Sequence, residues 1–144
     1  MNKLRFVLDT NLVISAALFN ASPARQGFET ALLLGEILLS DVVQAEVSEV
    51  LMRSKFDLYV PPVRRVQFLA NLIAVATLVP ITQTIKVCRD PKDDKFLDLA
   101  ISGEAACIIS GDKDLLALHP FQSVAILSPN NFLKQYTRQG PRRQ

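Results

Sequence analysis

The 144-residue chain has few of the residues that several common chemistries depend on. It has one histidine, His119, and two cysteines, Cys88 and Cys107, without a CxxC spacing. A zinc hydrolase usually needs two or more nitrogen or sulfur ligands, so that class is not expected. Two isolated cysteines give no disulfide framework and fit a reducing cytosol, which makes a cytoplasmic protein the expectation. Tryptophan is absent and the aromatics are eight Phe and two Tyr, too few to suggest base-stacking platforms. No apolar run nears the ~20 residues of a membrane span, and no signal peptide is evident, so no membrane role is expected. Walker A, GxGxxG and Ser-His-Asp patterns are missing.

What is present is ordinary globular composition, 49% hydrophobic and 21% charged, enough for one domain. Sixteen Lys and Arg against fourteen Asp and Glu give a net +2. Without Arg138, Arg142 and Arg143 the balance turns negative, so a slightly acidic body carries a basic tail. Residues 1–136 are expected to form the domain and 137–144 a flexible basic tail. Half of the acids fall within residues 90–114: Asp90, Asp93, Asp94, Asp98, Glu104, Asp112 and Asp114.

Short apolar runs alternate with helical patterns. Strands are expected at Leu4–Leu8, Glu36–Leu39, Leu78–Ile81, Cys107–Ser110 and Val124–Leu127. Helices are expected over 11–19, 23–34, 41–54, 61–77, 94–105, 115–118 and 129–136. Ser22-Pro23 offers a cap and a first-turn proline, Gly35 a helix stop, and Ser40-Asp41 a cap with Gln44 as capping-box partner. Continuous apolar strands separated by helices predict a three-layer α/β/α sandwich with a mostly parallel sheet of about five strands. In such sheets function gathers at the carboxyl ends of the strands. Asp9 follows the first strand, and Ser110-Gly111-Asp112 follows the fourth.

Each acid has a structural and a functional reading. Asp9 fits an N-cap, a metal ligand, or both. On its helix, Glu46 falls about 40° from Val50, on the shoulder of the Val43, Val47, Val50, Leu51 stripe, while Glu49 turns toward solvent. Asp94 and Asp98 lie four apart on one face, bordering the stripe of Phe96, Leu97, Ala100 and Ile101. Their repulsion would reverse if a divalent cation lay between them. Asp90 precedes proline and reads as loop, Asp93 as a cap, Glu104 as surface and Asp114 as an N-cap. Oxygen-only donors select hard cations such as Mg²⁺ or Mn²⁺.

The run Val7-Leu8-Asp9-Thr10-Asn11, Glu46, the stretch Asp90 to Ala100 (DPKDDKFLDLA) and Ile109-Ser110-Gly111-Asp112 together resemble the PIN-domain ribonucleases over about residues 3–136. They are most similar to a subgroup counted among the toxins of toxin–antitoxin pairs. The resemblance implies that Asp9, Glu46, Asp94 and Asp112 hold one or two Mg²⁺ or Mn²⁺ ions, with Asp98 as an additional candidate. It implies that Asn11 and Ser110 orient Asp9 by hydrogen bonds. It also implies an RNA substrate, frequent homodimers and a cognate antitoxin. Ser110-Gly111 stands where better-known toxin members often have Thr-Arg, so an arginine contact to substrate is not expected there.

An acidic pocket must still attract phosphates, so basic neighbours are needed. The candidates are Arg64, Arg65, Lys92, Lys95, Lys113, Arg138, Arg142 and Arg143. Ala16 to Phe19 and the Phe68, Leu69, Leu72, Ile73 group read first as core and second as surface for a dimer or antitoxin. The competing functions are an RNA-processing nuclease outside any toxin pair and a catalytically silent PIN-like domain kept for protein binding.

Overall fold

A computed structural model describes residues 3–142, with side chains as far as Thr137. Five strands form one sheet: β1 (Leu4–Leu8), β2 (Gly35–Leu39), β3 (Thr77–Leu78), β4 (Cys107–Ile109) and β5 (Ala125–Leu127). Every pairing is parallel, in the order β3-β2-β1-β4-β5. The helices are α1 (Thr10–Leu18), α2 (Pro23–Leu34), α3 (Asp41–Leu51), α4 (Pro62–Val75), α5 (Asp94–Ser102), α6 (Lys113–Leu116) and α7 (Pro129–Arg142). The expected sandwich is therefore present.

The strands are short continuous apolar runs because both sheet faces are covered. Phe6, Val7, Leu8, Ile37, Leu38, Leu39 and Cys107 to Ile109 are all buried. Helix α7 packs on α2 and β5 and brings Phe132 and Tyr136 edge-on to Phe6, with ring centroids 5.3 and 5.5 Å away. Helix α5 packs against β1, β2 and β4 and touches α3. At the β5 edge, His119 Nδ1 accepts the outward N–H of Ile126 at 2.8 Å. That bond occupies an edge donor which would otherwise be open to another strand. Among the described residues no helix is long and apolar enough to cross a membrane.

Several boundaries differ from the sequence expectation. Ser40 alone caps α3, its hydroxyl accepting Val43 N at 3.2 Å, and no side-chain bond of Gln44 completes a box. Gly35 stops α2 as expected, its N–H donating to the Ala31 carbonyl, and it also opens β2 in extended conformation, one residue earlier than expected. Its requirement is space: a Cβ there would lie 2.0 Å from the Leu4 carbonyl oxygen, across the β1–β2 register. Helix α7 continues through Gly140 and Pro141 to Arg142.

The strand expected at 78–81 shrinks to Thr77–Leu78, and the chain beyond it runs irregularly to residue 90. This segment is tied to α5 instead of to a strand. Ser102 Oγ accepts Thr82 N and Gln83 N at 3.0 and 3.2 Å. Asp98 Oδ1 accepts Ile85 N at 2.6 Å, and Asp94 Oδ1 accepts Cys88 N at 2.9 Å and Val87 N at 3.3 Å. Residues 94, 98 and 102 are successive i,i+4 positions, so one face of α5 serves as a ladder of acceptors.

Candidate metal centre

The order 3-2-1-4-5 reverses direction between β1 and β4, and a crevice opens at the carboxyl ends of strands on either side of such a point. The register Leu8↔Ile109 continues into an Asp9 N to Ile109 O bond of 3.2 Å. That sets the Asp9 side chain beside Ser110. Asp9 Oδ1 caps α1 by accepting Leu12 N at 2.8 Å, and Ser110 donates its hydroxyl to Oδ2. Asp9 is 5% exposed and Ser110 fully buried. Ser110 Oγ in turn accepts Asp112 N at 3.0 Å, which pulls the Gly111–Asp112 turn over the strand ends. Asp112 Oδ1 accepts Asp114 N at 3.0 Å and caps α6.

Thr10 and α3 form the facing wall. The Thr10 hydroxyl donates to Glu46 Oε1, and Lys95 Nζ stands 3.1 Å from Glu46 Oε2. Asp9, Glu46, Asp93 and Asp112 line one cavity of about 260 Å³, with Arg53, Lys92 and Lys95 among its other walls. A neighbouring cleft of about 660 Å³ shares Asp9, Asn11 and Asp112 and adds Ser15, Gly111 and Lys113. A larger cleft, about 780 Å³, lies elsewhere, between α7 and the β5 end, around His119, Ser128, Asn131 and Lys134. It has no set of acids, so the chemistry is assigned to the smaller site.

The carboxylates of this pocket burden one another. Burial raises the Asp9 carboxyl above the usual carboxylate range, with Asp112 and Glu46 adding repulsion and the Ser110 and Leu12 hydrogen bonds opposing it. Partial burial, the Asp112 charge and Asp90 raise Asp93 to about 6. Among the described residues no three His, Cys, Asp or Glu side chains converge in this arrangement as a ready metal cage. The donor chemistry nevertheless fits a hard cation: oxygen-only groups that repel one another and that a divalent charge would relieve.

The raised carboxyls have a consequence for folding. A carboxyl whose folded pKa lies above its unfolded value binds protons more readily folded. The folded state is then favoured as pH falls through about 6 toward the unfolded value near 3.8. In EDTA, the melting temperature is expected to rise between pH 7 and pH 5, and Asp93→Asn should flatten that rise. A rise of equal size in the variant would remove Asp93 as its source.

The structure places several of the expected residues elsewhere. Asp94 does not enter the acid pocket. Its carboxylate is turned to the 87–88 segment, whose amides hold it below the usual carboxylate range, with Cys88 the largest contributor. Asp93, read as a cap, makes no side-chain cap bond and faces Asp112 instead. Asp98 is likewise spent on Ile85 N. The like-charge pair at 94 and 98 is thus compensated by backbone donors, with no cation needed. Asn11 is exposed at the mouth of both cavities, and the Leu12 amide takes the orienting role expected of it.

Arg65 is not a surface residue. It is 1% exposed, and its guanidinium donates to the carbonyls of Val60, Leu51 and Arg53 at 3.1, 2.7 and 3.2 Å and to the Asp57 carboxylate. Arg64 is exposed on α4 and lines neither acid cavity. Lys113 is exposed at the neighbouring cleft, and the Arg138, Arg142 and Arg143 side chains lie outside the described residues. Thr10 and Arg53 were not singled out from sequence. Arg53 lies seven residues after Glu46, and the helix expected over 41–54 would set both on one face, which was the available signal, although α3 ends at Leu51 and Arg53 follows its cap. It forms an exposed pair with Glu49 at 2.8 Å, a contact weak enough to release the guanidinium to another anion.

Both the fold and the sequence have known relatives. A chain of VapBC2 from Rickettsia felis, in a crystal structure with a DNA fragment from their promoter, superposes with a TM-score of 0.60 at 12% identity. The match covers 87% of this chain and 98% of that one, and shows a shared fold. A protein of Methanocaldococcus jannaschii described as uncharacterized is 29% identical over 125 residues, 81% of this chain and 76% of its own. The family model for the PIN domain matches residues 5–114, which include Asp9, Glu46, Asp93 and Asp112. The chain belongs to the PIN domain family.

Proposed function

We propose that the protein is a metal-dependent endoribonuclease, and that it acts in the cytoplasm as the toxin of a toxin–antitoxin pair. The observation that carries the nuclease reading is the gathering of Asp9, Asp93 and Asp112 at the sheet's switch point, with Glu46 opposite. PIN domains are generally nucleases, which supports the same reading. Asp9, Asp93 and Asp112 are the residues that would hold Mg²⁺ or Mn²⁺, which supplies Lewis acidity toward a phosphodiester and its attacking water.

The chain's own groups account for the remaining requirements. Ser110 and the Leu12 amide fix the Asp9 carboxylate before any ligand arrives, so little orientation is lost on binding. Arg53 and Lys92 flank the acids and attract the phosphate chain toward a pocket that alone would repel it. Lys113 can meet the next phosphate along the neighbouring cleft. Water adds to phosphorus and gives up a proton, the bond to the leaving ribose oxygen breaks, and that oxygen takes up a proton as it leaves.

The toxin assignment rests on the sequence resemblance, and the fold match to a VapBC2 chain is in keeping with it. A partner, whether an antitoxin or a second copy, would find apolar surface at Leu58, Tyr59 and Phe19, which are 92%, 61% and 46% exposed. The test of the nuclease is direct. Purified protein should cut single-stranded RNA with Mn²⁺ or Mg²⁺ and stop in EDTA, and Asp9→Asn should lose at least about 100-fold, or roughly 2.7 kcal/mol of barrier lowering. Full activity in Asp9→Asn would sink the site. A folded protein that neither binds Mn²⁺ nor cuts RNA would favour the silent protein-binding domain.

A further inference from the structure

We propose that Lys95 is a resident cation: its ammonium occupies the place beside Glu46 that a second metal ion would fill, leaving Asp9, Asp93 and Asp112 to bind a single divalent cation. This rests on the nuclease reading above and makes it more specific. The two ends of the pocket are compensated differently. Glu46 has both oxygens engaged, Oε1 by the Thr10 hydroxyl and Oε2 by Lys95 Nζ at 3.1 Å. Asp9 is held only by neutral donors, Leu12 N and Ser110 Oγ, and still feels Asp112 and Glu46.

Lys95 is held in place. Its side chain is 15% exposed, against 32% for Glu46, and its ammonium also donates to the Lys92 carbonyl. It lies 5.0 Å from the ring centroid of Phe96, itself buried. An ammonium fixed by a carboxylate, a carbonyl and a ring face has few rotamers left to lose, unlike a solvated lysine. The entry into α5 therefore brings one anion, Asp93 of the preceding turn, and one cation, Lys95 of the first helical turn, into the same cavity. In two-metal centres the ions stand ~3.5–4 Å apart and share carboxylates. A second dication here would have to displace the ammonium from Glu46 and stay near it in a partly desolvated pocket, where like charges repel strongly.

The experiment counts ions. The full-length chain is titrated with Mn²⁺ by calorimetry, and bound Mn²⁺ is read independently by electron paramagnetic resonance. The expected result is one ion per chain for the wild type and for Lys95→Arg, and two for Lys95→Gln, which keeps a donor but loses the charge. Glu46→Gln should still bind one ion within about threefold of the wild-type Kd, while Asp93→Asn should lose it. Melting curves establish that each variant is folded, and the Glu46→Gln arm stands even if Lys95→Gln is not. Two ions on the wild type, one ion on folded Lys95→Gln, or loss of the ion in Glu46→Gln would each overturn the proposal and leave the metal centre standing. No Mn²⁺ on the wild type would overturn the metal centre as well.

Discussion

Asp93→Asn should lower kcat/KM for Mn²⁺-dependent RNA cleavage by at least about 100-fold while raising the melting temperature of the metal-free protein at pH 7. Asp94→Asn should do the opposite, keeping activity within about tenfold and costing stability. The adjacent acids have opposite environments. Asp93 stands against Asp112 with its carboxyl raised to about 6, so at neutral pH its charge opposes folding. Asp94 accepts Cys88 N and Val87 N, and its charge favours folding. An asparagine at 94 can still accept through its carbonyl, so the loss is that of turning charge-assisted bonds into neutral ones, about 1 kcal/mol. Activity assays and EDTA melts on the two variants give four signs. An Asp94→Asn protein that is inactive with an unchanged melt, beside an active Asp93→Asn, would return the ligand role to Asp94.

The proposed move of the ligand role from Asp94 to its neighbour Asp93 marks the limit of what the sequence makes legible. Asp9, Ser110 and Asp112 were readable because strand ends are sharp in sequence: apolar runs stop at Leu8 and Ile109, and the parallel register sets the following residues side by side. Glu46 was readable because α3 has a clean apolar stripe. At the start of α5 neither signal applies. Pro91–Asp93 forms a 3₁₀ turn before the helix, and a shift of one residue at a helix start rotates a side chain by about 100°. A wheel drawn from Asp94 onward placed it at the core edge correctly and misassigned what that edge faces. The wheel could not foresee an irregular segment at 79–90, whose amides take up Asp94 and Asp98. Thr10 escaped notice because its hydroxyl reaches a residue 36 positions away, a contact set by packing of α1 on α3.

Arg65→Ala is expected to destabilise the fold by about 3 kcal/mol, with Arg65→Lys intermediate and Arg64→Ala within about 0.5 kcal/mol of wild type. On α4, Arg65 lines up with Phe68, Leu69 and Leu72, and Leu72 is seven residues on and buried. A charge on such a stripe is either satisfied or absent, so the sequence held a warning against a surface role. The guanidinium gathers three carbonyls, from the end of α3, the turn after it and residue 60, and pins them together with Asp57. Removing it leaves these acceptors without a donor and opens a hole in a nearly closed site, at ~1–3 kcal/mol for each buried group that water cannot reach. Lysine brings one point charge where a planar fork made several bonds. For a domain of this size about 3 kcal/mol corresponds to a fall of roughly 10 °C in melting temperature. Arg53 follows α3 directly, so loosening this knot should also free a side chain of the acid pocket's wall and weaken RNA binding secondarily. A variant that melts like wild type yet binds RNA poorly would mean that Arg65 meets phosphate after all.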